Sequence, residues 1–393
     1  MVEQTLGLVM ILKNEAHNLK HSLEPLACLF DEVVVVDTGS SDDTPRICTH
    51  LGAKVFFFKW IDDFAAARNH GLMHAQSDWL LWLDADNAMP PASVTTLRSL
   101  LPTEKNAIIW AQEYVTSTGG RLWQKRCFPR SPAVRFHGRV HEQLMHPAGW
   151  RDIASPVAIK HWGYEDPARV KAKGSYYLEL LQRSLADDPS DFYNHFQAAR
   201  CLANLRRFDD AIDHLWQVAR DRQAPAQNAG LWVQANADLA RLLERQGKHE
   251  TAAMLLDHVL EELPRSGLAH FHRGRLAHAM SQWQSARHHL ELAFKLGLGS
   301  PVVDLDPVKT QAQAGYYLGQ ALWRLGELKA ARLSFERTLE LVPGDLACRA
   351  QLAKLLLEQS DATAARGQAE TMLRLRPGDP TALRLLRACQ EAP

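Results

Sequence analysis

The sequence predicts two folds in one chain: an α/β domain on a mainly parallel sheet over residues 1–165, followed by an all-α helical-repeat solenoid over 166–393. Three observations carry this. Short apolar runs alternate with helical text up to about residue 160. From about 166 onward the strand signal stops. The helical remainder then repeats itself at a regular spacing. A chain of 393 residues also exceeds one ordinary hydrophobic core.

In the first half, LGLVMIL (6–12) reads as a strand, and Asn14 to Leu29 has helical spacing. DEVVVVD (31–37) is a continuous apolar strand of the kind buried on both faces of a parallel sheet. SDDTPRICTHLG (41–52) reads as a helix that Ser41 or Asp42 can cap and Gly52 can end. AKVFFFKW (53–60) is a third strand, DFAAARNHGLMHAQ (63–76) a helix, and DWLLWLDAD (78–86) a fourth strand. AIIWAQEYV (107–115) and RLWQKRCF (121–128) are further strands, and the Gly/Pro/His-rich stretch 129–164 reads as added strands and active-site loops.

In the second half a small residue recurs at Ala211, Ala252, Ala286, Ala331 and Ala365, with steps of 41, 34, 45 and 34. Another small residue lies 12 positions before each: Ala199, Ala240, Gly274, Gly319 and Ala353. Pro264, Pro343 and Pro377 each follow a recurring alanine by 12. Small residues let paired helices approach closely, and proline stops the second helix. A helix pair cannot bury its apolar face alone, so stacked neighbours supply the core. This is the tetratricopeptide (TPR) period, with insertions after the first and third units, and residues 379–390 suit a capping helix. The tryptophans Trp216, Trp232, Trp283 and Trp323 suit packing within and between repeats.

Lys plus Arg equals Asp plus Glu, 45 each, so nothing global attracts nucleic acid or an anionic membrane. The six cysteines form no C-x-x-C pair, which argues against a zinc site or disulfide framework. No apolar run approaches the roughly 20 residues of a membrane span, and the N-terminus lacks a signal-peptide pattern. The expected location is the cytoplasm.

The chemistry concentrates where strands end. LWLDADN (81–87) delivers Asp84 and Asp86 at a strand tip, and two carboxylates so close suit a hard divalent ion that also binds a diphosphate. The alternative is an acidic turn. KNEAHN (13–18) puts Lys13, Asn14 and Glu15 after the first strand; DTGSSDDT (37–44) puts Asp37, Ser40, Ser41 and Asp42 after the second. In open parallel sheets, ligands bind beyond the carboxyl ends of strands.

The runs VMILKNEA, VVVVDTGSSDDT, WIDDFAAARN and WLLWLDADN, over roughly residues 6–90, resemble the family 2 glycosyltransferases of GT-A fold, and WIDDFAAARN resembles their SunS-like, TPR-bearing bacterial branch. The resemblance implies a Rossmann-like GT-A domain. It also implies an inverting, metal-dependent transfer of sugar from a nucleotide-sugar donor, a UDP-sugar by preference, to a peptide, protein or glycan. By position, Asp37 would bind the donor base, and Asn14, Glu15 and Ser40 would line the nucleoside pocket. Arg68 and Asn69 would hold the ribose or diphosphate side; their alternative is helix packing with an ion pair to Asp62 or Asp63. Asp84 and Asp86 would form the D-x-D site, with Asp86 the better ligand for Mn²⁺ or Mg²⁺ and His161 of IKHWGY (159–164) a further one. In FHGRVHEQL (136–144), Glu142 is the expected base and His141 the second candidate. Arg126, Arg130, Arg135 and Arg139 read mostly as a solvated basic face. The chain lacks Q-x-x-R-W, which argues against a processive polysaccharide synthase. The TPR part is expected to hold an acceptor, a protein partner or a second copy. The competing reading is a TPR scaffold whose α/β domain binds nucleotide without turnover.

Overall fold

The computed structural model describes residues 4–116, 120–162, 167–297 and 307–391. The chain divides into two compact units, one built on Met1–Gln217 and the other on Val218–Pro301 with Leu305–Pro393. The expected boundary at 165/166, with Gly163 and Tyr164, lies outside the described residues.

The first unit opens with β1 (Leu6–Leu12), α1 (Leu19–Ser22), β2 (Glu32–Asp37), α2 (Thr44–His50), β3 (Lys54–Phe57), α3 (Phe64–His74) and β4 (Trp79–Trp82). There follow β5 (Asn87–Ala88), α4 (Ala92–Leu100), β6 (Ala107–Val115), β7 (Arg121–Pro129), the hairpin strands β8 (Arg135–His137) and β9 (Gln143–Met145), and β10 (Arg151–His161). Helices α5 (Pro167–Asp187) and α6 (Phe192–Asn204) also belong to this unit. Eight strands form one sheet in the order β3-β2-β1-β4-β7-β6-β10-β5. The first four run parallel, as the continuous apolar text of β1 and β2 predicts. Beyond β4 the sheet is mixed: β7 is antiparallel to both β4 and β6, β10 is parallel to β6, and β5 is antiparallel to β10. Strands β1 and β2 are almost wholly buried, with one apolar cluster on each face of the sheet.

The structure departs from the sequence pattern between Asn14 and Leu29. The expected helix is reduced to the single turn α1 and a 3-10 turn at Ala27–Leu29. Asn14 takes a left-handed φ of 56°, and Pro25 disfavours helix in the residue before it. At the next helix Gly52 takes φ 84°, where a side chain would be strained, and the helix ends there as expected.

The second unit is helical throughout its described residues. Helix α7 (Phe208–Arg220), whose last turn enters it, is followed by α8 (Ala224–Gln227), α9 (Ala229–Arg245), α10 (His249–Glu262), α11 (Gly267–Ala279), α12 (Trp283–Leu296), α13 (Pro307–Arg324), α14 (Leu328–Leu341), α15 (Leu346–Glu358), α16 (Ala362–Leu375) and α17 (Pro380–Glu391). The recurring alanines Ala211, Ala252, Ala286, Ala331 and Ala365 are all fully buried. They sit on the second helix of each pair. A Cβ on Gly319 would lie 2.5 Å from Cε1 of buried Phe335. Gly319→Val is therefore expected to cost ~1–3 kcal/mol by overpacking. Urea unfolding of the full chain measures this, and a variant as stable as the wild type would refute the close approach. No described helix is long and apolar enough to cross a membrane.

Candidate active site at the carboxyl ends of the strands

Parallel strands β2, β1 and β4 are neighbours, so Asp37, the Asn14–Glu15 turn and Asp84 leave the same edge of the sheet. The first two loops interlock. Asn14 N–H donates to Ser40 Oγ at 2.9 Å, and Ser41 N–H donates to Asn14 Oδ1 at 2.7 Å. Glu15 N–H donates to Thr44 Oγ1 at 2.8 Å, and its carboxylate accepts from Asn18 Nδ2 at 2.6 Å. The strained turn at Asn14 is thus held by five polar side chains, which keep both loops against the sheet.

Asp37 is 1% exposed. Its Oδ1 accepts from the N–H groups of Gly39 and Ser40 at 3.0 and 2.9 Å. Its Oδ2 is buried without a hydrogen-bond partner. An orphaned carboxylate oxygen is costly and suits an N–H donor from a bound ligand.

Around β4 the charges form a chain. Arg68 on α3 is buried and ionised. Burial alone would lower its pKa, but the carboxylates of Asp84 and Glu142 raise it further than burial lowers it. Its Nη2 meets Asp84 Oδ1 at 2.7 Å, its Nε meets Glu142 Oε1, and its plane lies 4.2 Å from the Trp82 ring centroid. The expected partners Asp62 and Asp63 play other parts. Asp63 caps α3 by accepting from Ala66 N–H at 2.8 Å. Asp62 accepts from Trp60 Nε1, Tyr176 Oη and Arg183 Nη1 at 3.0, 2.7 and 2.8 Å, pinning the start of WIDDFAAARN to α5.

Asn69, the next residue of α3, meets the hairpin. Both ends of its amide are engaged by β8: Nδ2 donates to Phe136 O at 2.8 Å and Oδ1 accepts from Phe136 N–H at 2.9 Å. Its amide mimics a strand edge and mounts the β8–β9 hairpin on α3. Phe64 N–H donates to Arg139 O at 2.8 Å in the same mount. The hairpin tip carries His141 and Glu142, so α3 fixes these residues through the backbone at Phe136 and Arg139 and through Arg68. From the other side, Tyr193 on α6 donates to His141 O at 3.1 Å. His141 has φ 53°, and its Nε2 is buried without a partner. Burial first, and then the positive Arg200, push its pKa down to about 4, so the ring is neutral at physiological pH.

Asp86 and His161 meet: Oδ1 lies 3.4 Å from Nδ1. Asn87 Nδ2 lies 3.0 Å from the same nitrogen. Burial opposes protonation of His161, but the Asp86 hydrogen bond and the charges of Asp86, Glu113 and Asp84 raise its pKa overall. Trp162 joins this pair to the first loop, its N–H donating to Asp86 O at 3.2 Å and its Nε1 to Asn18 Oδ1 at 3.2 Å. A carboxylate oxygen and an imidazole nitrogen at this separation fit two coordination positions of one divalent ion, with the rest left to diphosphate and water. Among the described residues no group of three His, Cys, Asp or Glu side chains completes a protein-only site.

Arg126 is not part of a solvated basic face. It is 1% exposed, lies 3.8 Å over Trp82, and is paired with buried Glu113. The strand text KRC gave no sign of this. The register between β6 and β7 slips between Ile109/Cys127 and Trp110/Lys125, so Arg126 is the extra residue of a β-bulge and is re-aimed inward.

Comparison with known proteins agrees with this architecture. Residues 8–151 match glycosyl transferase family 2, and residues 279–345 match a tetratricopeptide repeat. A TPR repeat-containing protein of Synechococcus elongatus is 35% identical over 200 residues, covering 48% of this chain and 49% of its own. The SPbeta prophage-derived glycosyltransferase SunS of Bacillus subtilis is 27% identical over 270 residues, covering 65% and 63%. Among solved structures, the APC/C hetero-tetramer Cut9-Hcn1 aligns with 57% of this chain and 43% of its own at 20% identity and a TM-score of 0.43. The chain thus spans between about half and two thirds of the length of these curated relatives.

Proposed function

We propose that this chain, which carries a family 2 glycosyltransferase domain and tetratricopeptide repeats, is an inverting glycosyltransferase that moves a sugar from a nucleoside diphosphate donor, a UDP-sugar by preference, to a peptide, protein or glycan. The observation that carries the reading is the Asp84–Arg68–Glu142 bridge, because one guanidinium ties the D-x-D motif to the candidate base. In this reading Asp37 Oδ2 accepts from an N–H of the donor base, and Asn14, Glu15 and Ser40 shape the nucleoside pocket. Asp84 faces the ribose and sugar. Asp86 and His161 hold Mn²⁺ or Mg²⁺, which when bound neutralises the leaving diphosphate.

Glu142 takes the proton of the acceptor nucleophile. As the nucleophile bonds to the anomeric carbon from the face opposite the diphosphate, the carbon–oxygen bond to the diphosphate breaks and inverts that centre. Glu142 Oε1 is engaged by Arg68, which orients the carboxylate and leaves Oε2 for the proton. His141 is the poorer base because its Nε2 is closed off from solvent. The TPR unit is read as the surface that holds the acceptor or its carrier protein, and the cytoplasm as the place of action.

A thermal-shift screen of nucleoside diphosphates and their sugars, with and without Mn²⁺, tests this. A ligand at about 100 times its Kd stabilises by ~2.7 kcal/mol, or roughly 5–10 °C for a domain of this size. Asp86→Asn is expected to abolish the metal-dependent part of the shift and keep the metal-independent part. If no nucleotide binds and no sugar nucleotide is hydrolysed with any divalent ion, the chain is a scaffold and the proposal fails.

A further inference from the structure

The Asp84–Asp86 segment has a buried floor that glycosyl transfer, as read above, does not by itself require. Three side chains lie in a row across adjacent strands: Asp84 after β4, Arg126 on β7 and Glu113 on β6. Arg126 Nη1 lies 3.9 Å from Asp84 Oδ2 and 3.5 Å from Trp82 O, and Arg126 Nη2 is bonded to Glu113 Oε2. The row therefore runs from buried Glu113 through Arg126 to Asp84.

Trp82 completes the device. The guanidinium carbons of Arg68 and Arg126 lie over its ring at 4.2 and 3.8 Å from the centroid, and its Nε1 donates to Lys125 O at 2.6 Å. Both arginines pack on one ring and both attract Asp84, Arg68 at Oδ1 and Arg126 at Oδ2. A buried ion pair rarely improves stability over apolar residues of similar size. Arg126 Nε is moreover buried without a partner, and a β-bulge is needed to aim the side chain inward. The fold therefore carries a cost here that packing does not explain.

We propose that the Glu113–Arg126 pair is a positioning device that sets the orientation of Asp84, and so determines how the ribose and sugar side of the donor is held. Both residues of the pair are buried, and neither is among the groups assigned to the donor above. The proposal rests on the glycosyl-transfer reading, and the test separates the two. Arg126→Met alone would strand the Glu113 carboxylate and endanger folding, so the informative variant is the double substitution E113L/R126M, with Arg126→Lys beside it. The probes are UDP with Mn²⁺ by calorimetry, and donor hydrolysis by the full-length protein.

The double variant is expected to fold with a melting temperature close to that of the wild type. Its affinity for UDP–Mn²⁺ and its hydrolysis rate are expected to fall on the order of 10–100-fold, the range usual for groups that orient ligand-bearing side chains. Arg126→Lys keeps the charge but loses the planar fork, and is expected to recover only part of this. A folded double variant that binds UDP–Mn²⁺ and turns over within about twofold of the wild type, well under the usual range, overturns the positioning role alone. A wild type that binds no nucleoside diphosphate with Mn²⁺ overturns the functional reading, and the positioning role falls with it.

Discussion

Arg68→Met is expected to lower the stability of the chain by roughly 3–5 kcal/mol near neutral pH and to abolish turnover. The wild-type guanidinium, 7% exposed, lies between Glu142, 10% exposed, and the more open Asp84. Methionine fills much of the same space and keeps the contact with Trp82, so packing loss is small. What is lost is the cation between two carboxylates, one of them deeply buried. The sign of the pH dependence follows. Burial pushes the Asp84 pKa up, but the charges of Arg68 and Arg126 hold it below the usual carboxylate value. Its contribution to stability is therefore present above the unfolded-state pKa of about 4 and is lost as pH falls through the lower folded value. In the variant, the buried Glu142 carboxylate is also left without its cation. The stability gap between wild type and Arg68→Met is expected to be widest near pH 7 and to close as the solution is acidified. Urea titrations at the two ends of that range measure it. An equal gap at both would mean that packing, and not the ion pairs, accounts for the loss.

Much of this unit can be read along the chain. β1 and β2 fall where apolar runs predict them, because a strand buried on both faces needs an uninterrupted run and few other elements supply one. The Asp84–Asp86 turn shows for the same reason: an apolar strand that stops on two acids has placed them at an edge. The repeats are legible because close helix approach admits only glycine or alanine at fixed spacing. What could not be read is long-range. Arg68 follows three alanines and looks like an ordinary helix residue; only the fold brings Glu142, 74 positions later, to its Nε. Asn69 has the chemistry of a nucleotide contact, and only the arrival of β8 shows that its amide completes a strand edge. Arg126 stands beside Lys125 in text that alternation would expose, and a one-residue slip in register turns it inward. The mount of the hairpin tip on Tyr193 of α6 joins elements that the sequence assigns to different domains.

Glu142→Gln is expected to leave the chain folded and able to bind donor, and to lower sugar transfer by ~10²–10⁴-fold, the usual contribution of a positioned base. Glutamine keeps the shape and an acceptor oxygen for Arg68 Nε, so the hairpin tip stays mounted through Phe136, Arg139 and Tyr193. The size of the loss carries further information, because it depends on the acceptor atom. A hydroxyl is almost wholly protonated near neutral pH and cannot attack without losing its proton, so a hydroxyl acceptor should show the full loss. A thiol is already a few per cent thiolate at that pH and strongly nucleophilic, so a thiol acceptor should show a loss toward the lower end and recover as pH rises. Hydrolysis, in which water attacks, should follow the hydroxyl case. The measurement is single-turnover transfer and hydrolysis by wild type and Glu142→Gln across pH, with His141→Gln as the comparison. If His141→Gln loses more than Glu142→Gln in both reactions, the base is the histidine, and the Arg68 bridge serves only to hold the loop.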